Sequence, residues 1–253
     1  MRILEVVGLT KRLGGRVALD AVSFTVEEGQ ILALVGPRGA GKTTCGDCLS
    51  GVILPDTGRV IFDGREMTGV DRHDLARAGL ARTFQVAKVF PRLTAADNVA
   101  VGFGPHRFPR LAVMLRAWRR AARRPRALAL LTRAGLADAA DRPAGLLPPG
   151  MQKRLEIARA LAGRPRLILL DEPFGGLSHA DTGAMAELIA TLRGEGLTVV
   201  LIEHRIDAAI GLADRAVVLD RGIVIASGAP ERVRSDPKVI EAYVREDARA
   251  PRP

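Results

Sequence analysis

The chain has 253 residues, 47% of them hydrophobic and 26% charged, enough for one or two compact domains with a sizeable core. No apolar run approaches the roughly 20 residues needed to cross a bilayer, and the opening Met1, Arg2, Ile3, Leu4 enters a strand pattern without a secretory leader. A cytoplasmic location is expected, with membrane association supplied by a partner. The net charge of +10 invites a nucleic-acid reading, but the excess is local: nine arginines and no acidic residue fall between Arg107 and Arg133. That stretch suits a solvated helix, a surface near anionic lipid head groups or a nucleic-acid patch. With one Trp and one Tyr there is no stacking platform, so nucleic acid is not an expected partner.

In chain order, residues 3–7 and 17–26 read as strands. Residues 31–35, all apolar, read as a buried parallel strand. Next comes Gly36, Pro37, Arg38, Gly39, Ala40, Gly41, Lys42, Thr43, followed by Thr44 and a short helix over 43–49. Strand, glycine-rich loop and helix in that order cradle a nucleoside triphosphate: backbone N–H groups converge on phosphate oxygens, and the helix adds its free N-terminal donors. Lys42 is placed to reach the β- and γ-phosphates, and the Thr43 hydroxyl to ligate Mg²⁺. Cys45 and Cys48 supply too few ligands for a structural metal and read as reduced, half-buried thiols.

Residues 59–62 form a further strand between turn signals, which points to a small antiparallel sheet. Residues 70–80 read as helix and 80–84 as strand, with Gln85 at its end, where its side-chain oxygen can meet Mg²⁺ or water. Residues 92–148, rich in Leu, Ala and proline, read as a subdomain of interrupted helices. Alternation then resumes: helix over 151–162, strand 167–170, helix 181–193, strand 198–202 and a closing hairpin of 216–219 with 223–226. The last residues, 249–253, read as frayed. The expected fold is α/β: a P-loop NTPase core with a parallel sheet (1–86 and 151–253), a small antiparallel β subdomain, and an inserted α-helical subdomain with the signature region (87–150).

Two more strand ends carry chemistry. The run Leu167 to Leu170 emerges at Asp171 and Glu172. Asp171 is placed to hold Mg²⁺ opposite Thr43, and Glu172 to polarise the water that attacks the γ-phosphate. The run Val199 to Ile202 emerges at Glu203 and His204, and His204 is placed to donate to the γ-phosphate.

These motifs resemble, along nearly the whole chain, the nucleotide-binding subunit of an ATP-binding cassette (ABC) transporter. GPRGAGKTT is similar to Walker A, LILLDEP to Walker B, Thr83-Phe84-Gln85 to the Q-loop and Ile202-Glu203-His204 to the switch histidine. The segments ALDAVSFTVEEGQILALVGP, LARTFQ, VFPRLTAADNV, RLEIARAL and SGAPERVRSDPKVIEAYV are most similar to the ATPases of branched-chain amino-acid importers. Importers of amides, urea and other small polar solutes share the pattern. The resemblance implies Mg²⁺-dependent ATP hydrolysis coupled to transmembrane permease subunits on the cytoplasmic face of the inner membrane, and indirectly to a solute-binding protein. It also implies head-to-tail pairing with a second ABC ATPase, each ATP lying between one Walker A and the other subunit's signature.

Departures from the family pattern carry expectations of their own. The signature, LSGGQ in the family, is here Leu147, Pro148, Pro149, Gly150, Met151, with Gln152 beside it as a partial substitute. Pro148 lacks the expected hydroxyl and Pro149 the expected N–H. Leu13 stands where the resemblance places an aromatic that stacks on adenine, Arg38 where it places asparagine, and Ser178 where it places the D-loop aspartate. Walker A, Walker B, Gln85 and His204 are retained while the signature is impaired. A heterodimer with a partner of regular signature is therefore expected over a homodimer. Two alternatives use the same residues: a soluble ABC ATPase of nucleic-acid metabolism, and a nucleotide-binding regulatory subunit with little hydrolysis.

Overall fold

The computed structural model describes residues 1–103 and 116–247, with the side chains of 116–122 and 247 left aside. Its centre is a six-stranded sheet in the order β10-β9-β3-β8-β7-β6. Here β3 is Ile31–Val35, β6 Leu80–Arg82, β7 Leu167–Asp171, β8 Thr198–Glu203, β9 Arg215–Asp220 and β10 Ile223–Gly228. Five strands run parallel and β10 pairs antiparallel to β9. Alternation along each strand divides the apolar core in two. Ile31, Ala33, Val35, Ile168, Leu170, Val199 and Leu201 face one layer, and Leu32, Leu34, Leu167, Leu169, Val200 and Ile202 the other. Coverage on both faces is why these strands read as unbroken apolar runs.

A second, antiparallel sheet has the order β2-β1-β4-β5: β1 is Arg2–Leu13, β2 Arg16–Glu27, β4 Thr57–Phe62 and β5 Arg65–Glu66. β1 is longer than the run 3–7 suggests. Its register with β2 shifts repeatedly beyond Val6, and its polar end is tied down by Lys11 Nζ, 2.7 Å from Asp56 Oδ1. Between the sheets lies α1 (Lys42–Leu49). Cys45 and Cys48 are free and buried there, and burial pushes the Cys48 thiol up to about 11 and Cys45 higher still.

Three helices start where a side-chain acceptor satisfies a free N–H group. Asp71 caps α2 (Arg72–Ala78), Thr94 caps α3 (Ala95–Gly102) and Ser178 caps α6 (His179–Gly194). Helix α3 packs against α4 (Arg116–Arg133) and α5 (Pro149–Leu161). Buried Asn98 joins them to the preceding loop, its amide donating to the carbonyls of Phe90 and Thr94 and accepting from Phe90 N–H. Pro125 was expected to interrupt a helix, yet α4 runs through it. The residue sits on the exposed side of the helix. Much of the basic stretch 107–133 lies outside the described residues. Among those described, Arg124 pairs with Asp141, Arg126 lies over the Phe103 ring and Arg133 pairs with Glu195. The tail 249–253 is also outside them. Helices α7 (Ile206–Ile210), α8 (Pro230–Arg234) and α9 (Pro237–Asp247) close the chain. Among the described residues no helix is long and apolar enough to cross a membrane.

Leu34 is fully buried on the central strand β3. Leu34→Ala should destabilise the fold by about 3 kcal/mol through lost transfer energy and the cavity left behind, read as a lowered urea midpoint at unchanged slope.

Candidate functional site

The C-terminal ends of β3, β6, β7 and β8 converge on one edge of the parallel sheet, the edge at which such folds bind ligands. The loop after β3 arrives in a conformation only glycine tolerates. A Cβ at Gly36 would lie 2.0 Å from the Leu219 carbonyl oxygen. Gly41, at φ 103°, turns the chain into α1 with no side-chain cap and no acidic residue in the first turn. The N–H groups of Lys42, Thr43 and Thr44 are thus left for an external acceptor. Lys42 is buried, and its Nζ donates to the carbonyls of Gly36 (2.6 Å) and Pro37 (2.8 Å), so it rests on its own loop. Burial lowers its pKa, opposed by Glu172 first and then Glu246, Glu203 and Asp171.

Asp171 is buried at the end of β7, where burial raises its pKa against the pull of Arg82. Arg82, on β6, donates to Asp171 Oδ2 (2.8 Å), Asp47 Oδ1 (2.6 Å) and Ser50 Oγ (2.8 Å). Asp171 Oδ1 is buried without a partner. An orphaned carboxylate oxygen facing a phosphate-binding loop suits a hard divalent cation, which takes few protein ligands when phosphates supply the rest. The residues present therefore fit Mg²⁺, with Thr43 and Gln85 as the other candidate donors.

Glu172 adopts φ 45°, a strained value for a residue with a side chain. Its N–H is tied to the Ile202 carbonyl on β8 and its own carbonyl to Lys153 Nζ, 2.7 Å away. So held, its Oε2 accepts from Gln85 Nε2 (2.8 Å) and its Oε1 lies 3.5 Å from His204 Nδ1. The structure brings Gln85, Glu172 and His204 together beside Asp171 and the phosphate loop. Leu13 sits at the tip of the β1–β2 hairpin, 46% exposed and paired in register with Arg16.

The signature region opens α5. Pro148 is the N-cap residue and Pro149 the first helical position, where a missing N–H breaks no helical bond. The prolines fit the helix but offer a ligand nothing. The Gln152 amide folds back onto the Leu147 carbonyl at 2.8 Å. Asp181, from the first turn of α6, presses on this terminus: a Cβ at Gly150 would lie 2.4 Å from Asp181 Cγ. Its carboxylate also accepts the Ser178 hydroxyl at 2.7 Å.

Sequence reasoning did not single out Arg82, Lys153 or Glu203. Lys153 donates to the carbonyls of Glu172 and Gly175, which fastens α5 to the turn after β7. Glu203 is buried with Oε1 accepting from Phe174 N–H and Oε2 without a partner, and burial pushes it up to about 7. A charged residue at the end of an otherwise buried strand was the available signal for Arg82 and Glu203. Beside the site lies a cavity of about 630 Å³, lined by Arg72, Arg82, Phe84, Lys88, Phe90 and Arg159 among others.

Known proteins resemble the chain over nearly its whole length. The ABC transporter family model matches residues 19–175, and the model of the branched-chain amino acid ATP-binding cassette transporter matches residues 224–244. The chain is 42% identical to the high-affinity branched-chain amino acid transport ATP-binding protein BraF of Pseudomonas aeruginosa, over 96% of this chain and 98% of that one. It is 37% identical to the corresponding LivG of Escherichia coli, over 96% and 98%. Among solved structures, the ADP conformation of MJ1267, an ATP-binding cassette of an ABC transporter, aligns with a TM-score of 0.85 at 32% identity, covering 96% of this chain and 99% of that one. A dimeric post-hydrolysis state of the cassette MJ0796 with ADP and phosphate aligns at 0.77 and 28%, covering 90% and 99%.

The Glu203 carboxyl gives the site a pH signature. Its folded pKa, about 7, lies above the ordinary 4.5, so the bound proton contributes stability that is full below 4.5 and is lost as pH rises to about 7. Denaturation midpoints should therefore fall between pH 5 and 7, and Glu203→Gln should flatten that fall.

Proposed function

Because the chain belongs to the ABC transporter family, whose members couple ATP hydrolysis to transport, we propose that it is the hydrolysing subunit of an importer for branched-chain amino acids or related small polar solutes. The observation that carries the reading is the Glu172 carboxylate, held between Gln85 and His204 at the sheet edge that presents the phosphate loop.

ATP lies with its phosphates over the loop 36–43 and its base near Leu13, which covers one face without a π system. The N–H groups of Lys42, Thr43 and Thr44 donate to the phosphate oxygens, and Lys42 Nζ leaves the carbonyls of Gly36 and Pro37 for the β- and γ-phosphate oxygens. Thr43, Asp171 and Gln85 would hold Mg²⁺, which would supply neutralisation of the phosphate charge. Glu172 takes the proton of the attacking water, and Gln85 fixes its carboxylate from the other side. His204 donates toward the γ-phosphate as charge develops there.

The partner surface supports an asymmetric pair. The α5 terminus that should meet a second subunit's nucleotide has lost one N–H at Pro149 and has the Asp181 carboxylate packed against Gly150. A partner with a regular signature completes the site on this chain's Walker A, and the site formed by this chain's signature is the weak one. The groove running from Arg72 to Phe90 mixes cations with aromatic rings and suits a cytoplasmic helix of a permease subunit that carries acidic and apolar side chains. In that arrangement the chain sits on the cytoplasmic face of the membrane.

Steady-state ATP turnover by the purified chain, alone and mixed with the second ATPase of the same transport system, tests this. Turnover should appear in the mixture, and Glu172→Gln in this chain should lower it by about 10²–10⁴-fold. Strong turnover by the chain alone would overturn the asymmetric pairing, and full activity of Glu172→Gln would overturn the role of Glu172.

A further inference from the structure

The phosphate loop is supported from inside by β9, through the close approach of Gly36 to the Leu219 carbonyl, and by Gly222 N–H, which donates to the Ala40 carbonyl at 3.0 Å. A second set of contacts reaches it from outside, from the last helix. Glu246 Oε1 accepts the Arg38 N–H at 2.7 Å, across 208 residues of sequence. One turn earlier, the Tyr243 hydroxyl is buried against the Gly36 backbone. Burial, with Glu246 adding to it, pushes that phenol well above its ordinary range. Between them Arg245 pairs with Asp220 at 2.9 Å, the residue that follows Leu219. Val239 and Ala242 seat the helix on the core. Tyr243, Arg245 and Glu246, within one helical turn, thus address Gly36, the strand end beneath the loop and Arg38 respectively.

We propose that α9 is a strap that sets the phosphate loop for nucleotide, with Glu246 as a positioning residue acting through the Arg38 N–H. The proposal rests on the loop binding ATP. It adds a determinant of affinity outside Walker A and Walker B, and Glu246 lies beyond the residues 224–244 covered by the C-terminal family model.

The chemistry favours support over obstruction. Glycine at 36, 39 and 41, at φ 152°, 76° and 103°, leaves the loop little stiffness of its own, and an unliganded loop of this kind spends time in conformations that do not bind. Arg38 N–H precedes the helix-terminal donors of residues 42–44, so its bond to Glu246 fixes the loop without consuming them. A hydrogen bond to a carboxylate is about twice as strong as a neutral one, so this contact holds the loop more firmly than a turn bond would. The cost is one negative charge near Lys42, where Glu246 is the second of the four carboxylates that act on the ammonium. If that charge dominated, Glu246 would repel the triphosphate, and the two effects have opposite signs on affinity.

Binding of a fluorescent, non-hydrolysable ATP analogue with Mg²⁺ to the full chain separates them. Wild-type binding is the control: no measurable binding would be a failure of the nucleotide reading itself and not of the strap. Glu246→Ala removes acceptor and charge and should weaken binding roughly three- to tenfold, the loss of one charge-assisted hydrogen bond partly coupled to the ligand. Glu246→Gln keeps an acceptor oxygen without the charge and should restore affinity to within about twofold of wild type. Tighter binding by both variants would mean that the carboxylate opposes nucleotide. Equal weakening by both would mean that charge and not acceptance matters, and unchanged binding by both would mean that the strap is idle. Each of these three results overturns the proposal. Unchanged melting temperatures of the nucleotide-free variants confirm that the helix remains docked.

Discussion

Among the described residues, two helix N-termini, those of α1 and α5, are the ones proposed to meet nucleotide, and they differ in kind. At α1 the terminus is left electrostatically open: a left-handed glycine begins the helix, no carboxylate caps it and no acidic residue enters the first turn. At α5 the terminus is closed. Proline removes one donor, and Asp181 brings a carboxylate against Gly150, where the partial positive charge of the helix end would otherwise face outward. An anion has a prepared place at the first and a competitor at the second. Everything around α1 serves that open end: β3 delivers the loop, β9 fixes its first glycine, and the strands on either side carry the carboxylates that act on whatever the loop holds.

Keeping such an end open has electrostatic consequences in the rest of the site. Lys42, with no phosphate to meet, lies on loop carbonyls that a nucleotide would release. Asp171, with one oxygen unpartnered, is held as a carboxylate by Arg82. Arg82 in turn divides its donors among Asp171, Asp47 and Ser50 and lies over the Phe84 ring at 5.4 Å. The same guanidinium therefore touches the cation-binding carboxylate, the helix after the phosphate loop and the wall of the groove beside the site. A buried charge with three partners tolerates no large change at one of them without adjustment at the others. Ground shared in this way between groove and carboxylate is what a coupled machine requires.

What could be read from the sequence and what could not divides along the range of the interaction. Strands β3, β7 and β8 were legible because a strand covered on both faces must be apolar throughout, and the phosphate loop because glycine and lysine spacing is dictated by local backbone geometry. Asp171, Glu172 and His204 were legible because they end those strands. The length of β1 was not, since its second half is polar and held by Lys11 and Asp56, 45 residues apart. Helix α4 running through Pro125 was not either, because an exposed proline costs a helix only what solvent cannot replace. Arg82 meets Asp171 across 89 residues, and Glu246 meets Arg38 across 208. No local pattern marks such pairs. The double proline was visible at once, but its effect was legible only in part. Sequence shows the donors that are missing, whereas the carboxylate packed against Gly150 comes from another helix.

That last point bears on why the signature region can depart so far from the family pattern without damage to the fold. Proline at the first helical position removes an N–H that the helix never used, and its fixed φ matches the helical value. Gln152 satisfies the Leu147 carbonyl, Lys153 ties the helix to the turn carrying Glu172, and Leu155 and Ile157 remain buried. Structure and ligand recognition therefore draw on different atoms of the same helix: side chains on its inner face for the fold, backbone donors at its tip for a phosphate. Changes at the tip are free for stability and costly only for the nucleotide across the interface. A cassette whose partner supplied the working signature could bear that cost, because the residues proposed to act on its own ATP stand on other elements altogether.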